Sequence, residues 1–403
     1  MRATLAVFAV TLAVLSACTD QSPGPTGSSV SASRNGLPFT EGLASPTWQG
    51  IAANRVAQAN LAPTTATRTY SELGVAQYLA VQRADVAAGS NGRSQLEAER
   101  GAVAGASAVV LTYLFPAAAQ TFEDMVTVQS NAGPGQPQPW FARGEAIGRA
   151  VGAEIVARAQ ADGFALPFTG TIPTGPGLWI SNTTPATVVG GQLPGVTAWF
   201  LTSASQFRPG PPPAFGSAAF NTDLVEIRQL SDTRTADQTR IATFWALGGG
   251  TPTTSGFWIQ VGTDGINSHA LSEREATHLY ALLSATMLDA QIGCWDAKQT
   301  YWFIRPWQAD AAITTVAAVG KPNHPAYPSG HSCLSASAAE VLSTFFPEQS
   351  TQLHAMVTEA GLSRMYGGIH YRFDIDAGQA LGRNVARFTI AADASGNSVL
   401  TAR

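Results

Sequence analysis

Apolar positions recur at three- and four-residue spacing over most of this chain, the period of an α-helix with one buried face. Residues 72–83 show it through Leu73, Ala76, Leu79 and Ala80, and residues 96–114 continue it until Pro116. Residues 117–127 fit a further helix, and 131–139 form a Gly/Pro/Gln loop. Residues 141–161 are helical again, with Ile147, Val151 and Ile155 on one face and Gly163 as the stop. This half predicts a bundle of about four helices.

The period is lost over 164–216, where Pro, Gly and Thr dominate and Pro209-Gly210-Pro211-Pro212-Pro213 breaks any helix, with Trp179 and Trp199 between. An irregular stretch that long is expected to wrap across the two halves, and more weakly to cover a site. Helical spacing then returns over 223–230, over 235–246 (Ile241, Phe244, Trp245) and over 272–304 (Leu279, Leu282, Leu283, Met287, Ile292). Ser272 with Glu275 resembles a capping box at the start of the long segment. Residues 332–345, 351–365 and 373–388 complete the set, the last with Leu381, Val385 and Phe388 inward. The prediction is an all-α protein of helical bundles with an irregular middle. Its expected divisions are a signal at 1–18, a tether at 19–48, an N-terminal bundle at 49–163, a wrapping region at 164–222 and a C-terminal bundle at 223–403. No internal repeat and no 20-residue apolar span is present.

Composition sharpens this only slightly. Of 403 residues, 45% are hydrophobic and 12% charged, which suits close-packed helices better than disorder. A net charge of -4 provides no basic field for nucleic acid, so any anion site must be a local pocket. Met1-Arg2, the apolar run 3–15 and Leu15-Ser16-Ala17-Cys18 read as a bacterial lipoprotein signal with lipid on Cys18, or as an ordinary secretory signal cleaved after Ala17. Either places the mature chain outside the cytoplasm, as a periplasmic or cell-surface protein touching membrane only through its anchor. Cys294 and Cys333 remain, either as a disulfide or as two small buried hydrophobes. Neither they nor the scattered histidines show a structural zinc spacing. His269, His278 and His354 read as ordinary surface or core residues.

The chemistry gathers between residues 298 and 374. Lys298 and Arg305 are seven apart, which on one helix places them within ~20° of the same face. Two such cations form an anion clamp or a solvated surface pair. Ser329-Gly330-His331 precedes a helix, whose N-terminal amides favour anions; Ser329 adds a hydroxyl, Gly330 permits close approach, and His331 offers an acid/base. A plain turn with an N-cap serine fits the same residues. Arg364 and His370 would lie on different faces of one helix, but Gly367-Gly368 offers a break that returns both to one pocket. Asp374, four beyond His370, either orients the imidazole or caps a helix.

Taken together, Lys-x6-Arg-Pro, Pro-Ser-Gly-His and Ser-Arg-x5-His-x3-Asp resemble the phosphatidic acid phosphatase type 2 superfamily, which includes bacterial acid phosphatases and vanadium-dependent haloperoxidases. The resemblance covers about a fifth of the chain strongly and implies an all-helical catalytic bundle. It implies that Lys298, Arg305, Arg364, Ser329 and the Gly330 amide bind phosphate or vanadate, and that His331 is the acid/base. His370 would be the phosphoryl-accepting nucleophile or the vanadate ligand, and Asp374 its support. Asp237 would partner Arg364. His370-Tyr371-Arg372-Phe373-Asp374 and the run 324–329 are more similar to the haloperoxidase branch, with His324 where bromoperoxidase-like members carry histidine. The implied activity is halide oxidation, bromide or iodide before chloride, by hydrogen peroxide at vanadate. The alternatives are phosphoester hydrolysis without a cofactor, and a surface lipoprotein that only binds an anion or partner.

Overall fold

A computed structural model describes residues 42–89, 92–132, 138–396 and 398–401. The signal, Cys18 and most of the expected tether lie outside these residues. Five helices make the N-terminal half: α1 (Ala44–Gln58), α2 (Pro63–Ala88), α3 (Gly92–Leu114), α4 (Ala119–Asn131) and α5 (Pro139–Ala161). Helix α1 begins inside the stretch read as tether, because Leu43, Ala44 and Trp48 are buried and the Glu273 carboxylate accepts the amides of Ala44 and Ser45 at 2.6 and 2.8 Å. That carboxylate supplies the cap that the α1 sequence lacks.

Helices α3 and α5 pack at backbone contact. A Cβ on Gly144 would stand 1.9 Å from Ala98 O, and one on Gly148 2.1 Å from Ala102 O, so only glycine admits this approach.

The C-terminal half holds α6 (Ala218–Asp232), α7 (Ala236–Phe244), α8 (Thr253–His269), α9 (Glu273–Tyr301), the single turn α10 (Pro306–Ala309), α11 (Gly330–Phe345), α12 (Ser350–Tyr366) and α13 (Arg372–Ala394). The Ser272–Glu275 capping box forms in both directions. Helix α8 has no counterpart in the sequence reading. Gly256, Gly262 and Gly265 weaken its pattern, and its backbone is held by burial of Trp258, Ile259 and Ile266.

One continuous core, from Leu43 to Leu400, joins the halves, and α9 is its axis. Among the described residues the only β pairing is the single bridge Leu178–Phe303.

Residues 164–216 contain no α-helix and one short 3-10 turn, Leu193–Gly195. The stretch is held by buried polar groups. Asp289 of α9 is fully buried and accepts the amides of Trp199, Phe200 and Leu201 at 2.8 to 3.0 Å. Earlier in the stretch, Trp179 N donates to Trp302 O and Val189 N to Asn323 O. The irregular region therefore runs from α5 to the segments on either side of α10 and then back over α9.

Beneath it, Glu72 is 1% exposed and neither carboxylate oxygen has a hydrogen-bond partner; Arg68 and Arg158 stand 3.8 and 3.7 Å away. Burial outweighs both guanidinium groups and pushes Glu72 up to about 7. The folded chain keeps this proton where the unfolded chain has released it, so its contribution to stability falls as pH rises from 4.5 toward 7. Glu72→Gln is expected to remove that loss, roughly 3 kcal/mol between the two pH values. Urea unfolding of both proteins across this range checks it, and parallel profiles would contradict it.

Candidate active site

A small aromatic cluster brings the motif segments together. Phe303 precedes Arg305 by two residues, Tyr327 precedes Ser329 by two, and Tyr371 follows His370. All are buried in one cluster with Phe220 and Ile227 of α6. Phe303 meets Tyr371 at 5.9 Å, and Phe220 meets both at 6.0 and 5.5 Å between ring centroids. The backbone adds a direct tie, with Ser329 N donating to Asp374 O at 2.9 Å.

Lys298 and Arg305 converge, but not along one helix. Trp302, with φ 45°, ends α9 after Tyr301, and Arg305 stands at the start of α10 in extended geometry. Pro306 favours that extended conformation. Lys298 is fully buried and its Nζ donates to Pro325 O, Ala326 O and Pro328 O at 2.8, 3.0 and 2.5 Å. An ammonium has three N–H donors, so all are committed to the backbone. Lys298 therefore brings its charge to the site rather than a free donor. Burial lowers it to about 8.

Arg305 links the two imidazoles beside it. Its Nη1 donates to Ile369 O at 2.7 Å and to His370 Nε2 at 3.0 Å; its Nη2 donates to His324 Nδ1 at 3.1 Å. Because guanidinium only donates, His370 Nε2 carries a lone pair and its proton sits on Nδ1, facing Asp374 Oδ2 at 2.8 Å. Asp374 also accepts Tyr371 N at 3.1 Å, so it both orients the imidazole and caps α13. Its carboxyl is pushed up to about 7 by burial, which the Tyr371 amide and the two cations only partly offset. His324 packs tilted against Trp295, ring centroids 5.2 Å apart.

Helix α12 ends at Tyr366, and Gly368, with φ 72°, turns the chain so that Arg364 and His370 face one place. Arg364 is 1% exposed; its Nε donates to Ser363 Oγ and its Nη2 to Ala242 O. Three of its five N–H groups have no protein acceptor among the described residues. The amides of Gly330 and His331 at the start of α11 are likewise without one, and Ser329 Oγ accepts from Ser332 N while keeping its own O–H to donate.

The arrangement is strongly unbalanced in charge. Lys298, Arg305 and Arg364 are buried, and none forms an ion pair among the described residues; Asp374 is the carboxylate that feels Lys298 and Arg305. Burial, with neighbouring cations, holds His324, His331 and His370 well below the ordinary imidazole range, so all three are neutral. A compact anion with several oxygens satisfies the free donors and the excess charge together.

One expectation changes, one open alternative is decided and one expectation holds. Asp237 does not support Arg364: its side chain is 85% exposed and pairs with Arg240 at 3.5 Å on the first turn of α7. Arg234 reaches α12 instead, donating to Tyr366 O at 2.7 Å and Thr314 O at 2.8 Å. Cys294 and Cys333 are buried free thiols, with Cys294 Sγ donating to Pro328 O at 3.8 Å. The remaining histidines each hold a carboxylate away from the site: His269 with Glu348, His278 with Asp393 and His354 with Glu340.

Residues 276–394 match the PAP2 superfamily. A non-specific acid phosphatase of Providencia stuartii is 29% identical over 173 residues, which is 41% of this chain and 66% of that enzyme, just short of two thirds of its length. The crystal structure of a bacterial vanadium-dependent iodoperoxidase superposes with a TM-score of 0.72 at 22% identity, over 86% of this chain and 95% of that one. The holo form of a bacterial vanadium-dependent chloroperoxidase gives 0.68 at 14% identity, over 87% and 96%. At these identities the two structures establish a shared helical fold rather than a shared reaction. With the motif residues gathered as described, residues 276–394 carry the PAP2 superfamily match, and that match spans all three clusters.

Proposed function

We propose that this chain is an enzyme of the haloperoxidase type, oxidising bromide or iodide with hydrogen peroxide at vanadate held on His370. The observation that carries the reading is the set of three buried cations, without ion-pair partners among the described residues, around a histidine whose Nε2 is a lone pair. That donor set suits vanadate: a nitrogen ligand on one side, with guanidinium, amide and hydroxyl donors for its oxygens. When bound there, vanadate supplies the Lewis-acid centre that makes peroxide electrophilic toward halide. The protein's own work is then clear. Asp374 keeps the proton on His370 Nδ1, so Nε2 keeps its lone pair, which the Arg305 N–H at 3.0 Å would have to yield to the bound group. Arg364, the Gly330 amide and Ser329 Oγ orient oxygens, and Lys298 and Arg305 balance charge. His331 accepts and returns protons.

Two features favour this over phosphoester hydrolysis. Of the residues assigned to the site, only His324 and His331 are partly exposed, which suits reactants as small as peroxide and halide. The fold likeness to the peroxidases also spans the N-terminal half, whereas the phosphatase match does not cover half the chain. The second reading rests on that phosphatase match. In it, His331 first takes up a proton at Nδ1 and passes it to the leaving oxygen as His370 Nε2 attacks phosphorus, and water that gives its proton back to His331 then releases phosphate. A pure anion binder needs the cations but not two neutral imidazoles.

One paired assay separates the readings. Purified protein with and without orthovanadate is tested for peroxide-dependent bromination and iodination, and separately for phosphoester hydrolysis. Halogenation that requires vanadate is the expected result. Hydrolysis abolished by vanadate, with no halogenation, would establish the phosphatase reading instead, and neither activity would leave an anion binder.

A further inference from the structure

His331 is held from behind by two groups, and their geometry fixes which ring nitrogen can exchange protons. Its Nε2 lies 2.9 Å from Trp245 O and 3.1 Å from Thr254 Oγ1. A carbonyl oxygen can only accept, so Nε2 carries the hydrogen and Nδ1 the lone pair. The Thr254 oxygen shares the same N–H as a second acceptor.

Both partners sit beside strained backbone. Leu247, two residues after Trp245, has φ 42°, and Thr253, immediately before Thr254, has φ 68°. A β-branched residue in the left-handed region is a true outlier, and such strain persists only where the surroundings hold it. Here the surroundings are identifiable. Tyr70 of α2 donates its O–H to Pro252 O at 3.0 Å, and Thr67 Oγ1 meets Ser255 Oγ at 2.5 Å. The amide of Thr253 is received by Thr251 Oγ1 at 3.0 Å. On the far side, Trp258 Nε1 donates to Ser335 Oγ of α11, and Trp245 Nε1 donates to Glu359 of α12. The first turn of α8 is thus clamped between the N-terminal bundle and the helix that bears His331.

We propose that Thr254 is a positioning residue for His331. It is presented by the strained turn at Thr253 and held there by Tyr70 and Thr67 of the N-terminal half, and with Trp245 O it fixes the Nε2–H tautomer. This rests on the assignment of His331 as the proton-exchanging group. It also gives the N-terminal bundle a part in catalysis, since two of its side chains, Thr67 and Tyr70, end one and two residues from Thr254. The protonated ring, whose N–H is more acidic, gains more from two acceptors than from one, so Thr254 favours proton uptake at Nδ1.

The test uses the full chain labelled with 15N histidine, the His331 signals being identified by His331→Gln. In the unmodified protein the ring is expected as the Nε2–H tautomer, with or without orthovanadate. Thr254→Val is expected to lower kcat about tenfold for whichever reaction the protein performs, with KM and orthovanadate affinity within about twofold. Thr254→Ser, which keeps the oxygen, is expected to restore kcat. An Nδ1–H tautomer in the unmodified protein would overturn the proposal. So would an unchanged kcat in Thr254→Val, or an equal loss of kcat and vanadate affinity in both variants, which marks a merely structural role. If Thr254→Val does not fold, the tautomer and Thr254→Ser still decide. If the unmodified protein turns over neither substrate class, the functional reading fails while the tautomer measurement tests this proposal separately.

Discussion

His370→Ala is expected to abolish turnover, by a factor on the order of 10⁴ or more, whichever of the two reactions the chain performs. In both, Nε2 forms the bond to the central atom, and among the described residues no other neutral nitrogen is positioned by a buried carboxylate as His370 is by Asp374 at 2.8 Å. The same variant separates the ligand from the cradle. The cations and amide donors do not depend on the imidazole for their charge, so phosphate affinity is expected to stay within a few-fold. Vanadate, which gains a coordinate bond to nitrogen, is expected to lose far more. Calorimetric titration with each anion measures the difference. Retained turnover would remove His370 from the mechanism; equal loss of both anions would mean that Arg305, which donates to Nε2 at 3.0 Å, needs that imidazole to hold its place.

The sequence made the site residues legible because each cluster has a chemical reason internal to a few residues. Ser329 at a helix start, the Gly367-Gly368 break before His370, and Asp374 four residues on are local signals, and the structure places each where local geometry puts it. Convergence of Lys298 and Arg305 was legible by the wrong route. The helical-face argument needs the helix to reach Arg305, about where Pro306 is expected to end it, whereas it stops at Trp302 and the pair meets around the carbonyls of 324–328. Asp237 failed because spacing from a motif says nothing of which way a helix face turns, and α7 presents it to solvent. What stayed illegible is tertiary and largely backbone in character: the carbonyls of Trp245 and Ala242, and Thr254 at the head of a glycine-weakened helix. Backbone groups leave no signature in residue type, and the aromatic cluster of Phe220, Phe303 and Tyr371 only acquires meaning once the three segments are folded together.

Arg364→Met is expected to cost function while leaving the anion-free fold at least as stable. Arg364 is 1% exposed, without an ion pair among the described residues, and burial with Arg305 nearby lowers it to about 9. A structural arginine would have a carboxylate; this one has two neutral acceptors and three unused N–H groups. A buried cation held that way is a burden on folding that only a bound anion relieves, and replacing buried charge by an apolar side chain of similar length is often neutral or stabilising by ~1–4 kcal/mol. Part of that gain is offset, because Ala242 O loses its donor, at about 1–3 kcal/mol. Against the anion the balance reverses. Each charge-assisted hydrogen bond contributes about 1.5–3 kcal/mol, so losing two lowers affinity by at least ~100-fold. The two effects separate in one experiment, thermal unfolding with and without saturating orthovanadate or phosphate. The unmodified chain is expected to be stabilised by the anion with the logarithm of one plus ligand over dissociation constant. The variant is expected to start no lower and respond little. A variant that unfolds several degrees earlier without anion, yet is still stabilised by it, would show that Arg364 holds the fold rather than the ligand, and the charge imbalance at the centre of this site would lose its functional meaning.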